Sequence, residues 1–536
     1  MTEGASLHRT TKPHGDAGQS RAALAAINQG ENVDSENQES TPETSEAAST
    51  PRKRAPRRVV STDLPEKGAE KAADAKAEAP ADAADSGAEK PATERPRRRR
   101  PASDKSEANA SEADSAESSE ESESSEDSND GGGYGRGRGR GRGRDRRRGG
   151  RGGYGDDGEP EISDDDVLIP IGGILDVLDN YAFVRTQGYL PGPTDVYVSL
   201  GQVKKYNLRK GDAVIGAIRQ PREGENQGRQ KYNALVSVDT INGQTVEEAA
   251  NRVEFQALTA VYPTDRVRME TSKDELVGRM VDVFAPVGKG QRGVIVGASG
   301  TGKSHTVASM AAAVAQNVPD AHLMVVLVDE QPEAITEMQR GAKGEVITST
   351  FDRSADDHTT IAELAIERAK RLVELGHDVV VFVDSLTRLA RAYQQSIGGS
   401  SRGGSDSAWV YPTKKLFGAA RNVEGGGSLT IVGTLATNTG IALDDVVASE
   451  IAGTATMELR LSEDAAASRL FPAVDIRHSG TRKDDQLLSA DELRAISEIR
   501  QGIGAMDSVA SSKSVLEGMK SSASNVEFLV AMPKKL

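Results

Sequence analysis

The chain has no cysteine among its 536 residues, one tryptophan, and only 4% aromatic residues. Without cysteine there is no disulfide and no thiolate metal site, which suits a reducing cytoplasm. The seven histidines form no H-E-x-x-H or similar pair, so no transition-metal site is expected. No run reaches the ~18 apolar residues of a membrane helix, and the longest, such as Leu323 to Val328, are strand-sized. A secretory h-region is missing as well. The expectation is a soluble, cytoplasmic protein with no membrane partner.

Apolar residues are scarcest at the N-terminal end. From Met1 to Asp165 the only aromatics are Tyr134 and Tyr154, among Ser, Glu, Ala, Pro, Gly and Arg. Such a stretch cannot bury enough apolar surface to offset its ordering entropy, so residues 1–165 are expected to be a disordered, low-complexity tail. It carries 27 Lys and Arg against 35 Asp and Glu, a balance of −8, which leaves −7 of the total −15 for the rest. Neither part is basic overall, so any nucleic-acid contact must come from local patches. One such patch is the Gly-Arg tract from Gly131 to Gly155, with Arg136, Arg138, Arg140, Arg142, Arg144, Arg146, Arg147, Arg148 and Arg151 set among glycines. An arm of this kind can lay guanidinium groups along phosphates and stack on unpaired bases. The alternative is a solvated linker whose arginines pair with the acidic run from Ser103 to Asp130.

After Asp166 short alternating apolar stretches begin: Ile174 to Leu178, Tyr181 to Arg185, Asp195 to Val198, Asp212 to Ile218 and Tyr232 to Val238. Turn residues such as Pro191-Gly192-Pro193 separate them, and five strands in so short a span predict a small OB or cold-shock-like β-barrel over 166–245. Tyr181 and Phe183 lie two apart and share one face, which Tyr197 can join with Arg185 nearby. This face is either a base-stacking platform or core packing. Beyond a connector at 246–272, residues 273–536 alternate strands with helices. The runs Leu323 to Val328, Val379 to Asp384 and Leu429 to Leu435 predict buried strands of a parallel sheet, and Ile361 to Leu375 predicts a helix stopped at Gly376.

The segment Gly297-Ala298-Ser299-Gly300-Thr301-Gly302-Lys303-Ser304 fits G-x-x-x-x-G-K-[ST] and follows the apolar run Gly293 to Val296. Glycines let backbone N–H groups curl round phosphates, Lys303 reaches the outer phosphates, and the Ser304 hydroxyl can ligate Mg²⁺. His305 follows on the same helix and is counted with the nucleotide site. Taken alone, the pattern also fits a Gly-rich loop between a strand and a helix. ATP hydrolysis further requires a carboxylate near Mg²⁺, a group to orient water and a cation for the γ-phosphate. Asp384, at the end of an apolar strand, is the candidate metal ligand; Glu330, ending another, is the candidate for water. Acidic residues at strand ends also serve as solvent-facing caps.

Further segments carry a resemblance: Asp329-Glu330-Gln331-Pro332-Glu333, Asp384-Ser385-Leu386-Thr387-Arg388-Leu389-Ala390-Arg391-Ala392-Tyr393, Phe417-Gly418-Ala419-Ala420-Arg421-Asn422 and Ser479-Gly480-Thr481-Arg482-Lys483. From about Asp166 onward the chain resembles the bacterial transcription termination factor Rho family. The resemblance implies a homohexameric ring of RecA-like domains, an RNA-dependent ATPase and 5′-to-3′ helicase that releases transcripts from RNA polymerase. It implies that Arg482 is an arginine finger reaching the neighbouring subunit, and that Tyr181, Phe183, Arg185, Tyr197 and Tyr232 bind cytosine-rich single-stranded RNA. Three positions depart from the family pattern: Gln331 stands where Arg is usual, the pore loop from Gln394 to Tyr411 is shorter, and Ala452 replaces the usual Lys of the second pore loop. Arg402 could supply a substitute phosphate contact. Two other readings stay open: an RNA-binding or condensing protein that has lost translocation, and a rotary-ATPase-type subunit with the same motor fold.

Overall fold

The structure is a computed structural model describing residues 167–220, 232–397 and 409–536. The tail with its Gly-Arg tract, and Arg402, lie outside the described residues.

The barrel forms from β1 (Leu168–Val177), β2 (Ala182–Arg185), β3 (Val196–Val198), β4 (Ala213–Arg219) and β5 (Asn233–Ile241), closed in the order β1-β2-β3-β5-β4. Alternation sends Leu175, Val184, Val196, Val198, Val214 and Leu235 inward to a common core. Gly216 permits the closure: a Cβ there would lie 2.1 Å from the Ser237 carbonyl oxygen, where β4 and β5 shift register.

The second part is built on a nine-stranded sheet. Its strands are β6 (Ala260–Val261), β9 (Arg292–Gly297), β10 (His322–Glu330), β11 (Glu345–Thr350), β12 (Asp378–Asp384), β13 (Arg421–Val423), β14 (Ser428–Ala436), β15 (Met457–Arg460) and β16 (Gly480–Thr481). A separate pair, β7 (Arg266–Val267) and β8 (Val287–Gly288), lies beside them in the chain. The main order is β11-β10-β12-β14-β9-β15-β16, and its central strands run parallel. These strands read as unbroken apolar runs because both faces are covered. Leu323, Val325, Leu327, Val380 and Phe382 enter one core, while Met324, Val326, Val328, Val379, Val381 and Val383 enter the other. The helix Ala355–Glu374 is capped by Ser354, which accepts from the Asp357 amide, and ends before Gly376, which takes φ 87°. Both β6 and β7 fall inside the stretch that reads from sequence as a connector, so that stretch is partly woven into the sheets.

A polar seam joins barrel and sheet. Tyr189 donates to Glu345 at 2.5 Å, and His322 Nε2 lies 3.1 Å from the same carboxylate. Arg368, buried on the long helix, donates to Asn242 Oδ1 at 2.6 Å. Arg209 and the Phe255 amide both bond Glu374, at 3.2 and 2.8 Å.

Candidate nucleotide and RNA sites

The phosphate loop runs from the C-terminal end of β9 into the helix Lys303–Asn317. Gly300 and Gly302 take φ 80° and 97°, a conformation that lets successive N–H groups converge on an anion. Thr301 is buried and donates to the Ala298 carbonyl at 2.8 Å, so the loop is held by its own side chain. Ser299, Gly300, Ser304 and His305 face solvent. Lys303 Nζ donates to the carbonyls of Gly297 at 2.9 Å and Ala298 at 2.8 Å, folded back across the loop that precedes it. Burial pushes its ammonium below the ordinary lysine range; the Asp384 charge opposes that shift and Arg388 adds to it.

Asp384 ends β12, buried, and accepts from Thr434 Oγ1 of β14 at 2.6 Å. Among the described residues its second carboxylate oxygen accepts no hydrogen bond. A hydroxyl and one carboxylate are oxygen donors of the kind Mg²⁺ takes, with phosphates and water completing the shell. Glu330 ends β10 after a bulge, where Asp329 adopts φ 56° and the register against β11 shifts. That left-handed residue re-aims the strand end. Glu330 Oε1 accepts from the Gln331 amide at 3.1 Å, and Oε2 pairs with Arg388. The strands β10, β12, β14 and β9 are consecutive neighbours and parallel, so Glu330, Asp384 and the phosphate loop stand at one edge of the sheet, where open α/β sheets bind ligands.

Arg482 stands elsewhere. It follows β16, two strands from β9, and its amide bonds the Thr456 carbonyl at 2.8 Å; Thr456 in turn bonds the Arg292 amide at the start of β9. The loop leaves the other end of that strand, about 17 Å away at ~3.3 Å per residue. Among the described residues the Arg482 side chain makes no hydrogen bond or ion pair.

A cleft of about 510 Å³ opens beside the loop, lined by Gly300, Gly302, His305, Glu275, Phe471 and Pro472. Phe471 is 43% exposed, and its ring comes within 3.9 Å of where a Cβ on Gly302 would be. Sequence reasoning missed it, since nothing local marks a phenylalanine so far along the chain from the loop.

On the barrel, Phe183 is the centre of an aromatic cluster: its ring centroid lies 5.6 Å from Tyr181, 5.9 Å from Tyr197 and 4.8 Å from Tyr232, each edge to face. Tyr181 and Tyr197 are exposed at 44% and 38%, so this face looks outward rather than into the core. Arg185 is placed differently from the exposed aromatics. It is only 5% exposed, with Nη2 2.5 Å from Asp176 and Nη1 2.7 Å from Asp195. Burial pulls its pKa down, but the two carboxylates outweigh it and hold the guanidinium charged. It lies 5.4 Å from the Phe183 ring and supports that ring from below.

A parallel sheet with a phosphate loop and strand-end carboxylates, preceded by a closed barrel with an aromatic face, defines a RecA-type P-loop nucleotide-binding protein with an RNA-binding module. Residues 171–247 match the Rho termination factor RNA-binding domain, and residues 278–481 match the nucleotide-binding domain of the ATP synthase alpha/beta family. A transcription termination factor Rho from Pseudomonas fluorescens is 45% identical over 372 residues, which are 68% of this chain and 88% of the relative. The chain therefore belongs to the transcription termination factor Rho family. The Rho of Streptomyces lividans is 56% identical over 379 residues, 70% of this chain and 53% of that relative; that of Micrococcus luteus is 54% identical over 386 residues, 70% and 56%. The chain spans little more than half the length of these last two relatives.

Proposed function

We propose that this protein is an RNA-dependent ATPase and 5′-to-3′ RNA translocase that binds nascent single-stranded RNA and releases it from RNA polymerase in the cytoplasm, working as a homohexamer. Lys303 and the loop from Gly297 to His305 hold the triphosphate, Ser304 and Asp384 hold Mg²⁺, and Glu330 orients the attacking water. Mg²⁺ neutralises charge on the β- and γ-phosphates when bound. Phe471 offers its open face to the adenine base. Tyr181, Phe183, Tyr197 and Tyr232 stack cytosine-rich RNA, with Arg185 as their support. The domain limits follow: a tail to 165, the barrel at 166–245, a connector at 246–272 and the motor from 273.

The carrying observation is the place of Arg482. A cation for the developing γ-phosphate charge is required, and Arg482 lies at the opposite end of β9 from its own phosphate loop, so only a second copy can bring it to a nucleotide. The testing experiment is ATP turnover by the full chain with and without cytosine-rich RNA. RNA should raise turnover many-fold; equal rates would leave a motor uncoupled from RNA, as in a rotary-type subunit.

One observation favours a second reading, an RNA-binding protein with weak translocation. Residues 437–453, the second pore loop and its helix, hold Asp444, Asp445 and Glu450 and no Lys or Arg. Failure to unwind an RNA–DNA hybrid, with RNA-stimulated hydrolysis intact, would establish it.

A further inference from the structure

Tyr262 lies just after β6, on the stretch leading from the barrel to the nucleotide-binding domain, and is 56% exposed. The Lys483 ammonium stands 3.4 Å from its ring centroid, well inside the ~6 Å reach of a cation–π contact. Lys483 immediately follows Arg482 and takes φ 57°, a left-handed conformation that a residue with a long side chain adopts only when its surroundings hold it there.

Those surroundings are shared between the connector and the Arg482 turn. On the turn's side, Thr481 donates to the Pro286 carbonyl at 2.7 Å, next to β8. On the connector's side, the Lys289 amide bonds the Asp265 carbonyl at 2.9 Å, and Arg266 donates to Glu492 at 3.3 Å. Pro263 and Leu487 meet at Gly288, where an added Cβ would lie 2.8 and 2.9 Å from them. The backbone of the turn is thus seated, while among the described residues the Arg482 guanidinium makes no hydrogen bond or ion pair that would direct it. Its aim is set by the turn it leaves, and on the connector's side the Tyr262 ring holds that turn through Lys483.

We propose that Tyr262 is a positioning residue for Arg482. By holding the Lys483 ammonium over its ring it fixes the turn from which the guanidinium projects, and it fastens that turn to the chain segment arriving from the RNA-binding barrel. The proposal rests on the reading of Arg482 as a finger acting in a neighbouring subunit. An exposed cation–π contact of this kind corresponds to about two- to fivefold in rate. Because a finger acts on charge that develops only in the transition state, the loss falls on kcat and leaves KM for ATP alone.

The test is RNA-stimulated ATP turnover by the full chain, comparing Tyr262→Ala, Tyr262→Phe, Lys483→Met, the Tyr262→Ala/Lys483→Met double variant and Arg482→Ala. The expected result is a two- to fivefold lower kcat for Tyr262→Ala and for Lys483→Met, unchanged KM, no further loss in the double variant, and recovery in Tyr262→Phe, which keeps the ring. Losses that multiply in the double variant, a Phe variant as poor as Ala, or native kcat in both singles would each overturn it. Arg482→Ala separates the two readings: normal turnover there refutes the finger and the positioning role together, whereas an inactive Arg482→Ala beside a native Tyr262→Ala refutes the positioning role alone.

Discussion

Phe183 and Arg185 show how one side chain can determine what a neighbour does. Arg185 is neutralised by Asp176 and Asp195 in the barrel wall, so its charge is unavailable to phosphate, and what reaches solvent is the aromatic surface above it. Removing that surface should weaken RNA binding without touching the nucleotide site. Stacking of one base on an aromatic side chain contributes about 1–3 kcal/mol, so Phe183→Ala should raise the Kd for a short cytosine-rich RNA by about 5- to 150-fold. Fluorescence anisotropy checks this, with nucleotide binding as the control. An unchanged Kd would return the cluster to a packing role.

At the scale of elements, the seam between barrel and sheet has a definite pH response. Burial pushes the Glu345 carboxyl up, but the bonds from His322 and Tyr189 and the Arg368 charge prevail and hold it below the usual value of 4.5. A carboxylate depressed in the fold stabilises the native state above its unfolded pKa, and that stability is lost as pH falls through the folded value. Thermal melts should therefore lose Tm on acidification below about pH 4.5 more steeply in the native chain than in Glu345→Gln. Parallel acid limbs would show that the seam does not report through this group. Much of the element pattern is legible in the chain itself: β10, β12 and β14 declare themselves as apolar runs, and Gly376 ends its helix as glycine does. The two-residue strands β6 and β7 carry no periodicity and read as connector. Likewise, alternation along β2 places Arg185 beside Phe183 but cannot show that two aspartates, nine and ten residues away, wait for it. Phe471 belongs to no local pattern; only the fold carries it to the loop.

For the whole molecule, a cation supplied from another copy has a direct test. Lys303→Ala and Arg482→Ala should each be inactive in ATP hydrolysis, and mixing the two should restore part of the turnover, because some interfaces then pair an intact loop with an intact arginine. Mixtures as inactive as their components would argue against shared sites. The Gly-Arg tract makes a separate prediction: deleting Gly131 to Gly155 removes nine arginines, so RNA affinity should drop and its dependence on log salt should flatten by roughly 0.7 for each phosphate that the arm no longer neutralises. An unaltered slope identifies the tract as a spacer.

The wholly enclosed Arg368 carries one last implication. Its strongest bond goes to Asn242, and it also donates to the Gly211 carbonyl; both partners belong to the barrel side. A motor severed from its barrel would be left with an orphaned guanidinium on a raw, half-greasy flank, and such a fragment should clump rather than spin freely. The barrel thus covers a buried cation of the nucleotide-binding domain, and light scattering of a variant lacking residues 167–245 checks the expected aggregation.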